Sequence, residues 1–199
     1  LNEHAIKGED RRRELCQAVR AAVPLTTDPA LLEPYALLVR GQVRQLEELV
    51  RSITEFDSQI AEAVRAHEDT PLFSPLPGAG EVLIPRLIVA FGSDRDRYGS
   101  ADEIQNYSGI APLTEQSGNS RHVTRRRACP KFLHQTFHEF ADHSRRWSHW
   151  AKAWYEHKKA QGMKHNAAVR ALAFKWIRIL FRLWKDRKPY SEERYIQSL

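Results

Sequence analysis

The chain has 199 residues and a formal net charge of +6, with 31 Lys and Arg against 25 Asp and Glu. This length suits one domain with an extension, and no apolar run reaches the ~18 residues that a membrane-spanning helix needs. Two cysteines, Cys16 and Cys129, are too few for a disulfide framework. The composition therefore argues against membrane and disulfide-rich secreted proteins and predicts a soluble, cytoplasmic one.

Charge is divided unevenly along the chain. Residues 1–112 hold 12 basic and 18 acidic side chains, whereas residues 113–199 hold 19 basic and 7 acidic ones, seven of the nine histidines and all five tryptophans. Basic side chains displace counterions from phosphates, and aromatic rings can stack on bases. The second part is therefore expected to bind nucleic acid. A solvated basic surface around a Trp-rich core is the alternative interpretation.

A polar segment, residues 1–28, precedes the first strong pattern and contains a short helical stretch near residues 9–22. Asp28 and Pro29 then predict a helix start, as N-cap and first helical residue. From there, residues spaced alternately by three and four form a heptad seam: Leu32, Tyr35, Val39, Gln42, Leu46, Leu49, Ile53, Phe56, Ile60 and Ala63. This seam predicts a coiled-coil arm over residues 29–70 that joins chains into a dimer or tetramer. The alternative is a long amphipathic helix that lies on its own domain.

A helix-hairpin-helix-like turn is predicted next, in the stretch Leu76-Pro-Gly78-Ala-Gly80 before an apolar helix. Two glycines allow a tight turn, and the free N–H groups at the start of the following helix could bind a phosphate. Gly78, Ala79 and Gly80 are therefore candidate nucleic-acid contacts. An ordinary turn would use the same residues.

Ser100 and Glu103 have the spacing of a capping box, and they predict a short helix that stops at Gly109. Residues 113–124 lack a helical period and are read as an irregular loop or a short hairpin that carries Ser117. A serine in a Gly/Asn turn is usually only a turn residue.

Several basic residues follow Ser117 and could neutralise a phosphate next to its hydroxyl. With the glycine turn, they complete the candidate nucleic-acid contacts: Arg121, Arg125, Arg126, Arg127 and Lys131. No carboxylate cluster supplies metal ions, so no metal site is expected in this chain. His134, His138 and Asp142 share a helix face that could hold a metal, but a solvated face is the simpler interpretation. Cys129 beside basic residues could be a reactive thiol, although no partner residue is evident.

Two long helices complete the prediction. The first runs from Pro130 to Gln161 and the second from about residue 166 to 186, each with an apolar Trp-rich face assigned to the core. The second also carries a basic stripe that could meet RNA, DNA or solvent: Lys175, Arg178, Arg182 and Lys185.

Four blocks in this order carry a family resemblance. They are the heptad helix, the Leu-Pro-Gly-Ala-Gly turn, Tyr107-Ser-Gly-Ile-Ala-Pro with Gln116-Ser-Gly, and the last basic helix ending near Pro189. Over roughly residues 30–190 the chain resembles the C-terminal portion of the IS110 family of insertion-sequence transposases, which are DEDD-type recombinases guided by a bridge RNA. The third block is the specific part of the resemblance.

The resemblance implies a mainly α protein, with a coiled-coil arm (29–70), a helical transposase domain (75–190) and a tail (191–199). It implies that residues 1–28 link to an N-terminal RuvC-like domain whose acidic residues bind Mg²⁺. Because the chain begins at Leu1, we expect a piece of a longer protein that does not cleave DNA alone.

The resemblance further implies that Ser117 is the nucleophile for DNA strand cleavage and exchange, with Ser120 as the alternative. The implied partners are DNA, a guide RNA and further copies of the chain, in the nucleoid of a prokaryotic cell. Two rival functions remain open. One is a non-catalytic helix-hairpin-helix module that grips DNA, and the other is a coiled-coil scaffold.

Overall fold

The computed structural model describes residues 3–124 and 126–197. Helices dominate this part of the chain, and its sheet is a two-stranded antiparallel hairpin, so the predicted mainly α fold class is confirmed. The elements in chain order are α1 (Glu3–Ala21), α2 (Pro29–Ala66), α3 (Thr70–Phe73), α4 (Gly80–Phe91), α5 (Ala101–Tyr107), β1 (Leu113–Ser117), β2 (Ser120–Thr124), α6 (Lys131–Ser144), α7 (His149–Ala160), α8 (His165–Asp186) and α9 (Glu192–Gln197).

The chain divides into two compact units, Leu1–Glu55 and Phe56–Leu199. The division falls inside α2, upstream of the residue 70 predicted as the end of the arm. α2 starts as the sequence predicts, because the Asp28 carboxylate accepts a hydrogen bond from the Ala30 backbone N–H at 2.9 Å. No residue of α2 is buried. The helix is therefore confirmed, whereas its pairing as a coiled coil stays a prediction.

The core of the second unit is built around α8, which packs against α5, α6 and α7. Two of its tryptophans are fully buried, and each satisfies its indole N–H. Trp176 Nε1 donates to Ser144 Oγ at 2.7 Å, and Trp184 Nε1 donates to the Gly92 carbonyl oxygen at 2.7 Å. Because these donors are paired, the rings can be buried without the cost of a lost hydrogen bond.

The single helix predicted from Pro130 to Gln161 is wrong. The structure has two helices, α6 and α7, joined by a turn at residues 145–148. Ser148 caps α7, since its Oγ accepts from the Ala151 N–H at 3.3 Å. The break also removes Trp147 from the predicted core, and its side chain is 71% exposed.

Of the two alternatives predicted for residues 113–124, an irregular loop or a short hairpin, the structure has the hairpin. β1 and β2 pair from Leu113↔Thr124 to Ser117↔Ser120, with Gly118 and Asn119 as the turn. Gly118 has φ +56°, whereas the φ of Asn119 is not positive. A glycine with positive φ at the first central position is typical of a type II′ turn, one of the two common hairpin turns. We call this element the serine hairpin.

Two shorter helices frame the second unit. α5 begins at Ser100, whose Oγ accepts from the Glu103 N–H at 3.3 Å, while the Glu103 carboxylate accepts from the Gly99 N–H at 2.8 Å. The predicted capping box is thus present, except that the Glu103 carboxylate accepts from the N–H of Gly99 and not from that of the cap residue, Ser100. The predicted tail contains α9, whose Tyr195 ring lies 4.7 Å from that of Trp150.

Within the described residues, no helix combines the length and apolarity needed to cross a bilayer.

Candidate functional site

The tip of the serine hairpin presents two hydroxyl groups to solvent. Ser117 and Ser120 are both exposed and face each other across the Gly118-Asn119 turn. A Cβ built on Gly118 would have no atom within 4 Å, so the tip is open on that side. Either serine could therefore approach a large substrate without displacing packed side chains.

The two serines differ in their neighbours. Ser120 Oγ lies 3.1 Å from Nε2 of His122, which is a possible proton acceptor. Ser117 Oγ has no hydrogen-bond partner among the described residues. His122 was not among the predicted site residues. Its position two residues after Ser120 could have indicated this contact, because alternate residues of a strand share a face.

Three of the candidate basic residues, Arg126, Arg127 and Lys131, lie at the base of the hairpin rather than at its tip. Arg127 and Lys131 are exposed and line a cavity of about 960 Å³ beside the first turn of α6. Arg126 is half-buried and donates to Asn106 Oδ1 at 3.5 Å. Four strand residues separate Ser117 from the base, about 13 Å at the usual rise. These cations are therefore separated from the Ser117 hydroxyl by most of the length of the hairpin.

Two of the predicted contacts cannot be placed in full. Arg125 lies outside the described residues, and Arg121 is described by its backbone, which pairs with Gln116 in the hairpin.

The glycine turn is used mainly for packing. Gly78 has φ +75°, and a Cβ there would lie 2.7 Å from Trp147 Cδ1 and 3.1 Å from the His143 carbonyl oxygen. Ala79 is buried, whereas Gly80 is exposed with φ +55°. Glu81 occupies the first turn of α4, where its carboxylate would compete with a phosphate for the free N–H groups. Since α3 has only four residues, the helix-hairpin-helix assignment stays a prediction.

The basic stripe of α8 is divided by the fold. Lys185 donates to the Arg95 carbonyl oxygen at 2.6 Å and lies 3.5 Å from Asp96 Oδ1, so it ties α8 to the segment after α4. The other three members, Lys175, Arg178 and Arg182, line a cavity of about 960 Å³. Its opposite wall is formed by residues 188–195, which we call the C-terminal segment. We call this cavity the C-terminal groove.

The remaining candidates have structural partners. His134 lies 3.2 Å from the Ser108 carbonyl oxygen and stacks on His138, while Asp142 accepts from Arg145 Nε at 2.6 Å. The Arg145 hydrogen bond and charge outweigh the effect of burial, so the pKa of Asp142 is lowered. The Cys129 side chain packs against Gly109, where a Cβ would meet its Sγ at 2.5 Å. These contacts account for the residues without a metal or a thiol reaction.

Comparison with known proteins gives a consistent family. Residues 71–156 match the model of the transposase IS116/IS110/IS902 family. The chain is 27% identical over 171 residues to the mini-circle putative transposase for IS117 of Streptomyces coelicolor, which covers 86% of this chain and 41% of that protein. It is 28% identical over 156 residues to the IS900 uncharacterized 42 kDa protein of Mycobacterium paratuberculosis, covering 78% and 39%.

A shorter match has higher identity. Over 75 residues, 36% are identical to the pilin gene-inverting protein of Moraxella bovis, which covers 36% of this chain and 23% of that protein. The chain thus spans about two fifths or less of the length of these curated relatives. The matched region contains the glycine turn, the serine hairpin, α6 and most of α7. Residues 71–156 are thus similar to the transposase IS116/IS110/IS902 family, and the predicted resemblance to IS110-type transposases is confirmed.

Proposed function

We propose that the chain is the part of a DNA transposase that delivers a serine nucleophile to a scissile phosphodiester, and that this serine is Ser117. DNA is the substrate, a guide RNA is a partner, and the metal ions come from an acidic domain outside this chain. The observation that carries the proposal is the exposure of the Ser117 hydroxyl at the open tip of a hairpin, inside the region that matches the transposase family.

The proposed step is a transesterification. Ser117 Oγ forms a bond to phosphorus while the bond from phosphorus to one deoxyribose oxygen breaks. The hydroxyl proton must pass to a base, and the departing oxygen must gain a proton. Serine is weakly acidic at neutral pH, so it needs help from a base or a metal ion. Mg²⁺ bound by the acidic domain would supply charge stabilisation at the phosphate.

The basic residues at the hairpin base have a positioning role in this proposal. Arg127 and Lys131 are exposed on one side of the base and could hold the backbone of a strand whose scissile phosphate lies at the tip. The distance along the hairpin is about 13 Å at the usual rise per strand residue, so these side chains would hold a neighbouring phosphate of the strand rather than the scissile one. We propose that these side chains set which phosphate reaches the serine.

The experiment joins this chain to an acidic RuvC-like domain of a family member and measures strand exchange and covalent protein–DNA adducts. Ser117→Ala should abolish both, a loss of at least about 10³-fold, because the nucleophile is removed. Thr114→Val is the matched control, since Thr114 is another exposed hydroxyl of the same hairpin. It should retain adduct formation.

Ser120→Ala decides between the two serines. Under the proposal it keeps measurable exchange, because Ser117 still attacks. If Ser120→Ala abolishes the adduct and Ser117→Ala does not, the nucleophile is Ser120, which the His122 contact would favour. If neither substitution matters, the chain grips nucleic acid without reacting. We also propose that the chain without the acidic domain does not cleave DNA.

A further inference from the structure

The C-terminal groove concentrates positive charge that the protein itself does not neutralise. Among the described residues that line it are five cations and one acid, Asp186; the cations are Lys175, Arg178, Arg182, Lys188 and Arg194. No ion pair joins these cations to a carboxylate of the described residues. Elsewhere in the same unit two half-buried arginines are paired with carboxylates, Arg86 with Glu139 and Arg95 with Asp69. The groove is therefore a site that favours an anion.

Lys175 gives the strongest signal because its side chain is partly buried among aromatic rings. Its Nζ lies 4.1 Å from the centroid of the Trp154 ring, 5.6 Å from that of Trp150 and 5.8 Å from that of Tyr195. Burial lowers the pKa of Lys175. Ring faces offset only part of the cost of removing an ammonium group from water, and an anion would offset more.

Other wall residues are neutral and suit a nucleotide rather than a simple ion. Phe174, Ile179 and Leu183 provide apolar surface next to the cations. The indole Nε1 of Trp154 is buried and has no acceptor among the described residues. A duplex offers mainly phosphates and sugars at its surface, so this apolar surface would stay unused. An unpaired base can contact it while its phosphates meet the arginines.

We propose that the C-terminal groove binds an unpaired segment of nucleic acid, with the strand backbone on Arg178, Arg182 and Arg194, a phosphate near Lys175 and a base against the apolar wall. The inference rests on the proposed function to the extent that the chain works on nucleic acid, and it does not depend on which serine reacts. The groove is formed by α7, α8 and the C-terminal segment, so its residues are separate from those of the serine hairpin.

The test measures binding of this chain to fluorescent 12-nucleotide DNA and RNA single strands and to a blunt duplex of the same sequence, by anisotropy at several salt concentrations. Arg178→Gln/Arg182→Gln should weaken single-strand binding roughly tenfold or more. It should also reduce the salt slope by about 1.4, since each lost phosphate contact on a single strand contributes about 0.7. Duplex binding should change much less. Comparison of the two single strands identifies whether RNA or DNA is preferred.

Lys159→Gln/Lys164→Gln is the matched control. Both lysines are exposed on the second unit and lie outside the groove, and their side chains make no hydrogen bond or ion pair with the described residues. The control removes the same charge and should leave single-strand affinity within about twofold, because general electrostatic attraction to the unit is common to both variants. Equal losses in both double variants would overturn the groove assignment.

Lys175→Met separates binding from structure. A structural role for Lys175 predicts a lower melting temperature in this variant, whereas the proposed role predicts weaker strand binding with unchanged or higher stability, because a desolvated charge is removed. Equal loss of duplex and single-strand binding would overturn the unpaired-strand assignment. Competition by polyglutamate as strong as by the oligonucleotide would assign the groove to acidic peptides.

Ser117→Ala is included so that the two proposals can fail separately. It should bind strands like the unsubstituted chain. If the unsubstituted chain binds none of the three probes, both the inference and the proposed function are wrong. If it binds and the groove variants bind equally well, the inference alone is wrong.

Discussion

At the scale of single residues, three buried tryptophans of the second unit, Trp150, Trp176 and Trp184, each have a hydrogen-bond acceptor for the indole N–H. Trp150 Nε1 donates to the Tyr190 hydroxyl at 2.9 Å, and Tyr190 is 8% exposed. Burial raises the pKa of Tyr190 from 10.0 to about 12. The folded protein therefore holds this phenol proton more tightly than the unfolded chain does.

This shift predicts a loss of stability at alkaline pH. The contribution of Tyr190 is fully present below pH 10.0 and disappears as the pH rises towards about 12, because the unfolded chain ionises first. The upper limit of this contribution to the free energy of unfolding is about 2–3 kcal/mol. Tyr190→Phe should be less stable at neutral pH, where it lacks the hydrogen bond, but should lose less stability between these pH values.

The measurement is the free energy of unfolding as a function of pH for both proteins. Tyr107→Phe is the control, since Tyr107 is 53% exposed. Its alkaline profile should follow that of the unsubstituted chain. Parallel profiles for Tyr190→Phe and the unsubstituted chain would show that Tyr190 does not titrate differently on folding.

At the scale of elements, local signals predicted the helices that have caps or a long period. The heptad spacing and Asp28 located α2, the Ser100 cap located α5, and the apolar period located α8 to within about one residue at its start. The break between α6 and α7 was not predicted because the apolar period continues through Trp147. Only the fold shows that residues 145–148 leave the helix where Gly78 packs against the turn.

Ser148 is the residue that sets the start of α7. Its Oγ accepts from the Ala151 N–H and donates to Glu192 Oε1 at 3.0 Å. Ser148→Ala should lower the free energy of unfolding by about 1–2 kcal/mol, because the cap is lost and the residue is buried.

Chemical unfolding of the second unit gives this value. Ser58→Ala on the exposed surface of α2 is the matched control, and it should be neutral or slightly stabilising because alanine favours helix. A stability loss of the same size in both variants would mean that the cap at Ser148 contributes nothing specific.

At the scale of the whole molecule, α2 is notable because most of its apolar side chains are exposed. Its seam includes residues that are roughly half exposed or more: Leu32, Tyr35, Val39, Leu46, Leu49, Ile53, Phe56 and Ile60. Such a long exposed seam is typical of a helix that pairs with another chain. We therefore propose that α2 carries the contact between copies of the protein.

Leu49→Asp tests this proposal by placing a charge in the middle of the seam. Sedimentation equilibrium should show an oligomer for the unsubstituted chain and a monomer for the variant. The free-energy cost of burying an unpaired carboxylate exceeds what apolar burial at position 49 contributes to association. Gln45→Asp adds the same charge at an exposed position off the seam and should keep the oligomer. An unchanged mass for Leu49→Asp would exclude this contact.

The candidate site was predictable in its sequence motifs but not in its arrangement. The charge asymmetry and the Gln116-Ser-Gly motif pointed to the second part of the chain and to Ser117. The Gly118-Asn119 pair between two short runs was a readable hairpin signal. The separation of Arg126 and Arg127 from Ser117 was not readable from the sequence, and neither was the hydrogen bond from Lys185 to the Arg95 carbonyl oxygen, because both depend on how the chain folds.

Glu192 links two parts of the second unit that are distant in sequence. A single oxygen, Oε1, accepts both from the Ser148 hydroxyl and from the His149 backbone N–H, so a residue of α9 completes the cap of α7. The far wall of the groove, which includes Arg194 and Tyr195, belongs to the same short helix. Displacement of α9 would therefore uncap α7 at the moment it widened the groove, and a ligand that holds α9 in place would also reinforce the first turn of α7.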